Sequence, residues 1–388
     1  MFFDWSVGGT AGAALFTQIC EKLGVDVPIF AFSHCRDVVA AVTNAGGFGV
    51  LGATAHSPAG LETDLAWIDD QVGGKPYGVD LLLPAKFVDI GEHTSAGADA
   101  RLPIPPEHRA FVADLLDRYG VPQLPEHLTG RRGTLSVSAE AASTLLDVAF
   151  RHPIKLVASA LGPPPAELTE RAHAQGVIVA ALVGTVEHAR RQQAAGVDLI
   201  VAQGTEAGGH TGTVATMVLV PEVVRAVAPT PVLAAGGIVT GAQMAAAIAL
   251  GAEGVWCGSV WLTTQEAETD PAVQRKMLAA SSSDTVRSRS LTGKPARMLR
   301  TAWTDEWEAA AAPSALPMPL QTMLTATAQQ RIARSSSREG SGAQQLATYF
   351  VGQGVGLLDR VRPAKDVVAE MVTEYLEVAA RFAAQLDD

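Results

Sequence analysis

The chain has 388 residues, enough for one barrel-sized domain with additions and well beyond a minimal fold. Its formal net charge of -11 argues against non-specific binding to nucleic acid or an anionic membrane surface, since both need basic patches. A small-molecule substrate is the expected partner.

Cys20, Cys35 and Cys257 cannot all pair, and none stands in a CxxC or Cys/His metal spacing, so a reducing compartment and no metal centre are expected. The first residues, Met1-Phe-Phe-Asp-Trp5, carry an early acid and no basic region ahead of an apolar core, unlike a secretory signal. No apolar run approaches the roughly 20 residues that span a bilayer. A cytoplasmic protein is expected.

Short apolar runs alternate with amphipathic stretches through the first two thirds of the chain. Pro28 to Phe32 reads as a strand, Arg36 to Ala45 as a helix stopped by Gly46-Gly47, and Gly49 to Leu51 as a second strand. A helix from Pro58 to Val72 follows, with Ser57 as N-cap and Pro58 at the first helical position. Tyr77 to Leu83 is the third strand. The rhythm breaks from Pro84 to Thr134, where five prolines surround one helical stretch, Glu107 to Tyr119. Such an excursion belongs over a face of the domain rather than inside it.

The alternation resumes with helix Ala139 to Arg151, strand Ile154 to Ala160, helix Pro165 to Gln175 and strand Val177 to Leu182. Helix Val186 to Ala195 and strand Leu199 to Ala202 come next. A glycine-rich loop then leads to helix Pro221 to Val227, strand Val232 to Ala235, helix Gly241 to Leu250 and strand Gly254 to Cys257. Eight such βα units fit an α/β fold of the TIM, or (β/α)8, barrel class over residues 1–268, with the insertion at about 84–134. An open doubly wound sheet would want a GxGxxG turn after its first strand, and none follows Phe32.

From Glu266 the composition turns to Ala, Ser and Arg, and residues 269–388 read as a mainly helical region covering the barrel. Its last segment, Ala364 to Leu386, places Val367, Val368, Met371, Val372, Tyr375, Leu376 and Phe382 at helical spacing. Gly352-Gln-Gly-Val-Gly356 reads as a tight turn or helix start. Trp303 and Trp307, four apart, are expected on one helix face.

Barrel enzymes work at the C-terminal ends of their strands, and phosphate commonly sits in the loops after the seventh and eighth. Here those loops are Ala234-Ala-Gly-Gly-Ile238 and Trp256-Cys-Gly-Ser259. Gly236, Gly237, Gly258 and Ser259 can turn backbone N–H groups toward an anion. Before them, the sixth strand ends in Gln203-Gly-Thr-Glu-Ala-Gly-Gly-His-Thr-Gly212, where Gly208 and Gly209 let backbone pass close to a ligand and His210 is the lone imidazole. Small or apolar groups at the other strand ends, Ala31-Phe32-Ser33, Ala158-Ser159 and Gln203, suit a flat ring. Flavin mononucleotide (FMN) fits better than a free sugar phosphate.

The run Gln203 to Gly212, then Ala235 to Ile238 and Ala247 to Ser259, resembles the nitronate monooxygenase family, formerly called 2-nitropropane dioxygenases, and its relatives, the FabK-type enoyl reductases. Asn44-Ala-Gly-Gly-Phe-Gly-Val-Leu-Gly52 and Lys75 to Val79 match the same pattern. The resemblance spans about Val27 to Leu262 and continues weakly to Arg297 and to Gly352–Gly356. It implies an FMN-containing TIM barrel with a second, mainly helical domain over the flavin. His210 would lie near the ring as base or substrate hydrogen-bond partner. Gly236, Gly237, Gly258 and Ser259 would hold the phosphate, Gln203 and Gly209 would border the ring or ribityl chain, and Ala31, Phe32 and Ser33 would line the cofactor.

Two departures bear on substrate more than on cofactor. Relatives usually carry Met at the end of strand one, where this chain has Phe32-Ser33-His34. Where relatives commonly have Asn on strand three, this chain has Asp80, a carboxylate near the cofactor.

The leading expectation is oxidation of alkyl nitronates by O2. The alternatives are an NAD(P)H-dependent reductase of an enoyl thioester, a quinone or a CoA-linked substrate, and a non-catalytic flavin-binding protein. Glu206 is read either as orienting His210 or as a solvated loop acid, His34 as a possible pocket residue, and Cys257 as an inert core thiol.

Overall fold

The computed structural model describes residues 15, 17–82, 104–125, 139–160 and 162–387. In chain order the strands are β1 (Ile29–Ser33), β2 (Phe48–Gly52), β3 (Gly78–Leu82), β4 (Leu156–Ala160), β5 (Ile178–Val183) and β6 (Leu199–Gln203). They continue with β7 (Gly209–His210), β8 (Val232–Ala235), β9 (Gly254–Cys257), β10 (Thr285–Ser288) and β11 (Ala296–Leu299). Eight of them close into a parallel barrel in the order β1-β2-β3-β4-β5-β6-β8-β9, sealed where Ile29 of β1 meets Val255 of β9. The TIM barrel expected from the alternation is the observed fold.

Strand alternation sorts the side chains into two layers. Phe30, Phe48, Val50, Leu156, Ala158, Val201, Leu233 and Trp256 pack together inside the barrel. Ile29, Ala31, Val79, Val157, Val179, Ile200 and Cys257 face the surrounding helices. The short helix Gln18–Leu23, which sequence reading did not anticipate, adds Ile19, Cys20 and Leu23 to the inner group and so closes the barrel floor. Thr17 holds it there by donating to the Glu253 carbonyl at 2.7 Å.

The helices start where local chemistry allows. Ser57 accepts from the Gly60 N–H ahead of Pro58–Val72, and Gly73 ends that helix at φ 59°. Thr240 and Gln243 form a capping box on Gly241–Ala249. One expected boundary moves. The helix read from Pro221 begins at Thr216, where the Glu206 carboxylate accepts the Thr216 N–H, and Pro221 lies inside it.

The 84–134 excursion is described only over 104–125, where helix Pro106–Arg118 stands for the expected Glu107 to Tyr119. The rest of the excursion lies outside the described residues, with His93 and His127.

The helix Ala364–Asp387 buries Val367, Val368, Met371, Val372 and Tyr375, as its spacing implied, but Phe382, read on the same face, is 50 % exposed because the helix runs on past the barrel surface. Its Glu374 accepts from the Gly241 N–H at 2.7 Å, pinning it to a barrel helix. Trp303 and Trp307 share a face of Ala302–Glu308, ring centres 6.1 Å apart. Gln353–Leu357 is a single 3-10 turn. The region after the barrel is not helical throughout. β10 and β11 pair antiparallel, and β11 pairs with β7, so the loop after β6 is stitched to the C-terminal region through Ala296↔His210 and Arg297↔Gly209. A two-residue strand and two four-residue ones carry too little periodicity to be read from sequence.

Candidate active site

A cavity of about 1280 Å³ lies over the C-terminal ends of the barrel strands. Its wall brings together Phe32, Ser33, Asp80, Gln203, Gly208, Gly209, His210, Gly236, Gly237, Gly258 and Ser259. Two residues read as cofactor contacts, Ala31 and Ser159, do not line it. Both are buried at odd positions of the strand alternation, beside Ile29 and Val157, on the side that faces the helices. Sequence reading chose them for being small at a strand end and did not apply the alternation.

The glycines after β8 and β9 have the form an anion cradle needs. Gly236 and Gly237 adopt φ of 113° and 73°, conformations that L side chains rarely take. Gly258 has an ordinary φ of -123°, and a Cβ built on it would meet nothing within 4 Å. Its bareness therefore leaves open space at the cavity wall. Ser259 opens the 3-10 turn Ser259–Thr263, and its Oγ accepts from the Gly352 N–H at 2.8 Å.

Gly208 is explained differently. A Cβ there would stand 2.9 Å from the Val351 Cα and the Gly352 N, so its side chain is excluded by C-terminal backbone packed on the loop. The same approach lets Gln353 donate its N–H to the Glu206 carbonyl at 2.8 Å. Glu206 itself does not orient His210. Its carboxylate takes the Thr216 N–H and hydroxyl and caps the helix Thr216–Val227.

His210 is held by the small sheet, with Nε2 2.8 Å from Thr292 Oγ1 and the ring centre 6.2 Å from that of Phe350. Burial, and secondarily the charge of Lys294, lower its pKa from the usual 6.5. Both effects favour the neutral imidazole, the form a base needs. Arg297 donates to the Thr205 carbonyl at 2.9 Å and Arg287 to the Thr211 carbonyl at 3.1 Å, fixing both ends of the loop that carries it.

Another part of the wall, at the ends of β1 and β9, is aromatic. Phe32 stacks near Trp256 at 6.4 Å and meets the edge of His34 at 5.1 Å, while His34 Nδ1 donates to the Gly52 carbonyl at 2.9 Å. Asp80 is 6 % exposed, and burial pushes its carboxyl up to about 7. Cys257 faces the helix layer, where burial pushes its thiol up to about 12, so it is no nucleophile.

Sequence reading missed Trp256, Thr292, Lys294, Tyr349 and Phe350, all in the wall. Trp256 was recoverable, since it alternates with the outward Cys257. The other four arrive from beyond the barrel through non-local packing that leaves no local signal.

A model of the nitronate monooxygenase family matches residues 26–374. The chain belongs to the nitronate monooxygenase family. A Mycobacterium tuberculosis protein assigned provisionally as a monooxygenase is 63 % identical over 94 % of this chain and 98 % of its own length. Among solved structures, the nitroalkane oxidase of Streptomyces ansochromogenes is 26 % identical with a TM-score of 0.75, covering 94 % of this chain and 99 % of its own. FabK from Thermotoga maritima is 26 % identical with a TM-score of 0.68, covering 95 % and 99 %. The chain is thus an enzyme of a flavin-dependent oxidoreductase family. Among the described residues no helix is long and apolar enough to cross a membrane.

Proposed function

We propose that this nitronate monooxygenase family member binds FMN and oxidises alkyl nitronates with O2. The reading is carried by one convergence: the bare, anion-suited glycines after β8 and β9 and a neutral, sheet-held imidazole border the same cavity. Gly236, Gly237, Gly258 and Ser259 would hold the phosphate, and Gln203, Gly209 and Phe32 would border the ring. The flavin supplies the redox step.

His210 accepts the α-proton of a nitroalkane, or holds the nitro oxygens of a nitronate when the substrate is already ionised. Phe350 beside His210, and Phe32 and Trp256 elsewhere in the wall, keep the cavity lining apolar and help exclude water. The purified protein is expected to show a flavin absorption band, to release FMN on heating, and to consume oxygen when given an alkyl nitronate. Absence of the band would sink the whole reading; a band without oxygen consumption would sink the substrate.

A second reading is an NAD(P)H-dependent reductase of an enoyl thioester, a quinone or a CoA-linked substrate. It is favoured by cavity size, since about 1280 Å³ exceeds the roughly 300–1,000 Å³ usual for one drug-sized ligand. Fast anaerobic bleaching by NAD(P)H, with slow bleaching by nitronate, selects it.

A further inference from the structure

Asp80 has no task in the chemistry described so far. On β3 its neighbours Val79 and Leu81 pack outward against the helices, so the side chain of Asp80 points to the barrel interior, where it borders the cavity. Its carboxylate has no hydrogen-bond or ion-pair partner among the described residues, and burial is what disturbs its titration. In register it lies between Gly52 of β2 and Ala158 of β4, neither of which carries charge. The other ionisable groups of the wall are His34 and Cys35 after β1, His188 and Arg191 after β5, His210 and Lys294 at the small sheet, Cys257 at the end of β9, and Glu268, Asp270 and Tyr349 from beyond the barrel.

Strand order places Asp80 relative to the glycine cradle. In the closed order, the boundary between β8 and β9 faces the boundary between β3 and β4 across the barrel mouth. Asp80 and the glycines line one cavity, so a nucleotide whose phosphate rested on Gly236, Gly237 and Gly258 and whose ring extended over the mouth would bring that ring toward Asp80.

We propose that Asp80 takes up one proton whenever the flavin is reduced and returns it on reoxidation. The proposal rests on the flavin reading above. A hydride from a dihydronicotinamide brings two electrons and one proton, and so adds one negative charge to the ring. A carbanion substrate does the same by giving its electron pair while the solvent gives the proton. That charge, close to an unpaired buried carboxylate, favours the carboxylic acid. An O–H bond then forms on Asp80 with a proton from water, and the total charge of ring and carboxyl is unchanged. When the electron pair passes to the acceptor, that O–H bond breaks and the proton returns to water. His210 serves the substrate and Asp80 serves the charge on the cofactor.

The test is a redox titration of the full chain loaded with FMN, from pH 8 to 9, where the carboxyl of the oxidised protein is ionised, beside Asp80→Asn. Each proton bound per electron pair lowers the midpoint potential by about 30 mV per pH unit. The wild type is expected to fall by about 59 mV per unit, and Asp80→Asn by about 30 mV. Equal slopes with flavin bound in both proteins overturn the proposal.

Should Asp80→Asn fail to fold, the wild type alone decides. Its reduced-minus-oxidised infrared spectrum, with isotope-labelled aspartate, should gain a protonated-carboxyl stretch, and no such gain overturns the proposal. A wild type that binds no FMN is a different failure, that of the flavin reading itself.

Discussion

His210 Nε2 lies 2.8 Å from Thr292 Oγ1, so an imidazole from the loop after β6 is anchored by a hydroxyl 82 residues away in the turn between β10 and β11. The Thr292 hydroxyl has one proton and a carbonyl, that of Lys294, at 3.2 Å. Assigning the proton to that carbonyl makes Thr292 Oγ1 the acceptor of the Nε2–H, which leaves Nδ1 as the basic nitrogen. Removing the acceptor by Thr292→Val frees the ring to take the other tautomer. A single such bond is worth about 0.5–1.5 kcal/mol, so kcat is expected to fall roughly 2- to 13-fold. Thr292→Ser should restore it, with flavin occupancy unchanged in both.

His210→Asn removes the base while keeping a polar side chain of similar reach. General-base catalysis contributes about 10²–10⁴-fold, so nitroalkane oxidation should drop by that order while the flavin spectrum persists. Substrates supplied already as nitronates should lose less, because their α-proton is gone. Equal loss on both forms would show that His210 binds the nitro group and moves no proton.

Burial and Lys294 both lower the His210 pKa, and a base works when deprotonated, so activity on the nitroalkane rises with pH through a limb whose midpoint lies below 6.5 and then levels off. Lys294→Met removes the second of these causes. The limb should move to higher pH, with the plateau unchanged. A kcat/KM profile measured from pH 5 to 9 on both proteins checks it, and a limb that stays in place shows that Lys294 does not act on His210.

Two glycines that look alike in sequence should fail in opposite ways. At Gly258 a Cβ meets nothing within 4 Å, so Gly258→Val should fold with near wild-type thermal stability but bind FMN more weakly. At Gly208 a Cβ meets C-terminal backbone at 2.9 Å, and Gly208→Ala should cost about 1–3 kcal/mol of stability whether or not FMN is present. Thermal melts of the flavin-free proteins, with flavin titrations, separate the two.

That contrast shows what was legible in the sequence. The strand rhythm and the paired glycines at Gly236 and Gly258 carry local signals, and the barrel rule turns them into a site without further information. Gly208 carries the same letter for a reason supplied by Val351 and Gly352, far along the chain. Ala31 and Ser159 were misplaced although the information was local: Phe30 and Phe32 point inward, so Ala31 between them cannot. Glu206 was judged by its nearness to His210, whereas the exposed N–H of Thr216 took it first. Thr292 and Phe350 depend on how a short antiparallel sheet docks on the barrel, and no periodicity announces that.

Asp80 also sets a pH dependence of stability that needs no cofactor to observe. Its pKa in the fold is about 7 against 3.8 for an ordinary aspartate, so burial disfavours the ionised form. For a raised carboxyl, the folded state binds the proton more tightly than the unfolded chain does. The contribution to stability is complete below pH 3.8 and is lost as pH rises through about 7. Asparagine keeps the shape and cannot ionise. In the flavin-free protein, Asp80→Asn should therefore match the wild type near pH 4 and melt at a higher temperature at pH 8, the gap opening between those values. A constant gap across that range would mean that Asp80 does not titrate in the fold.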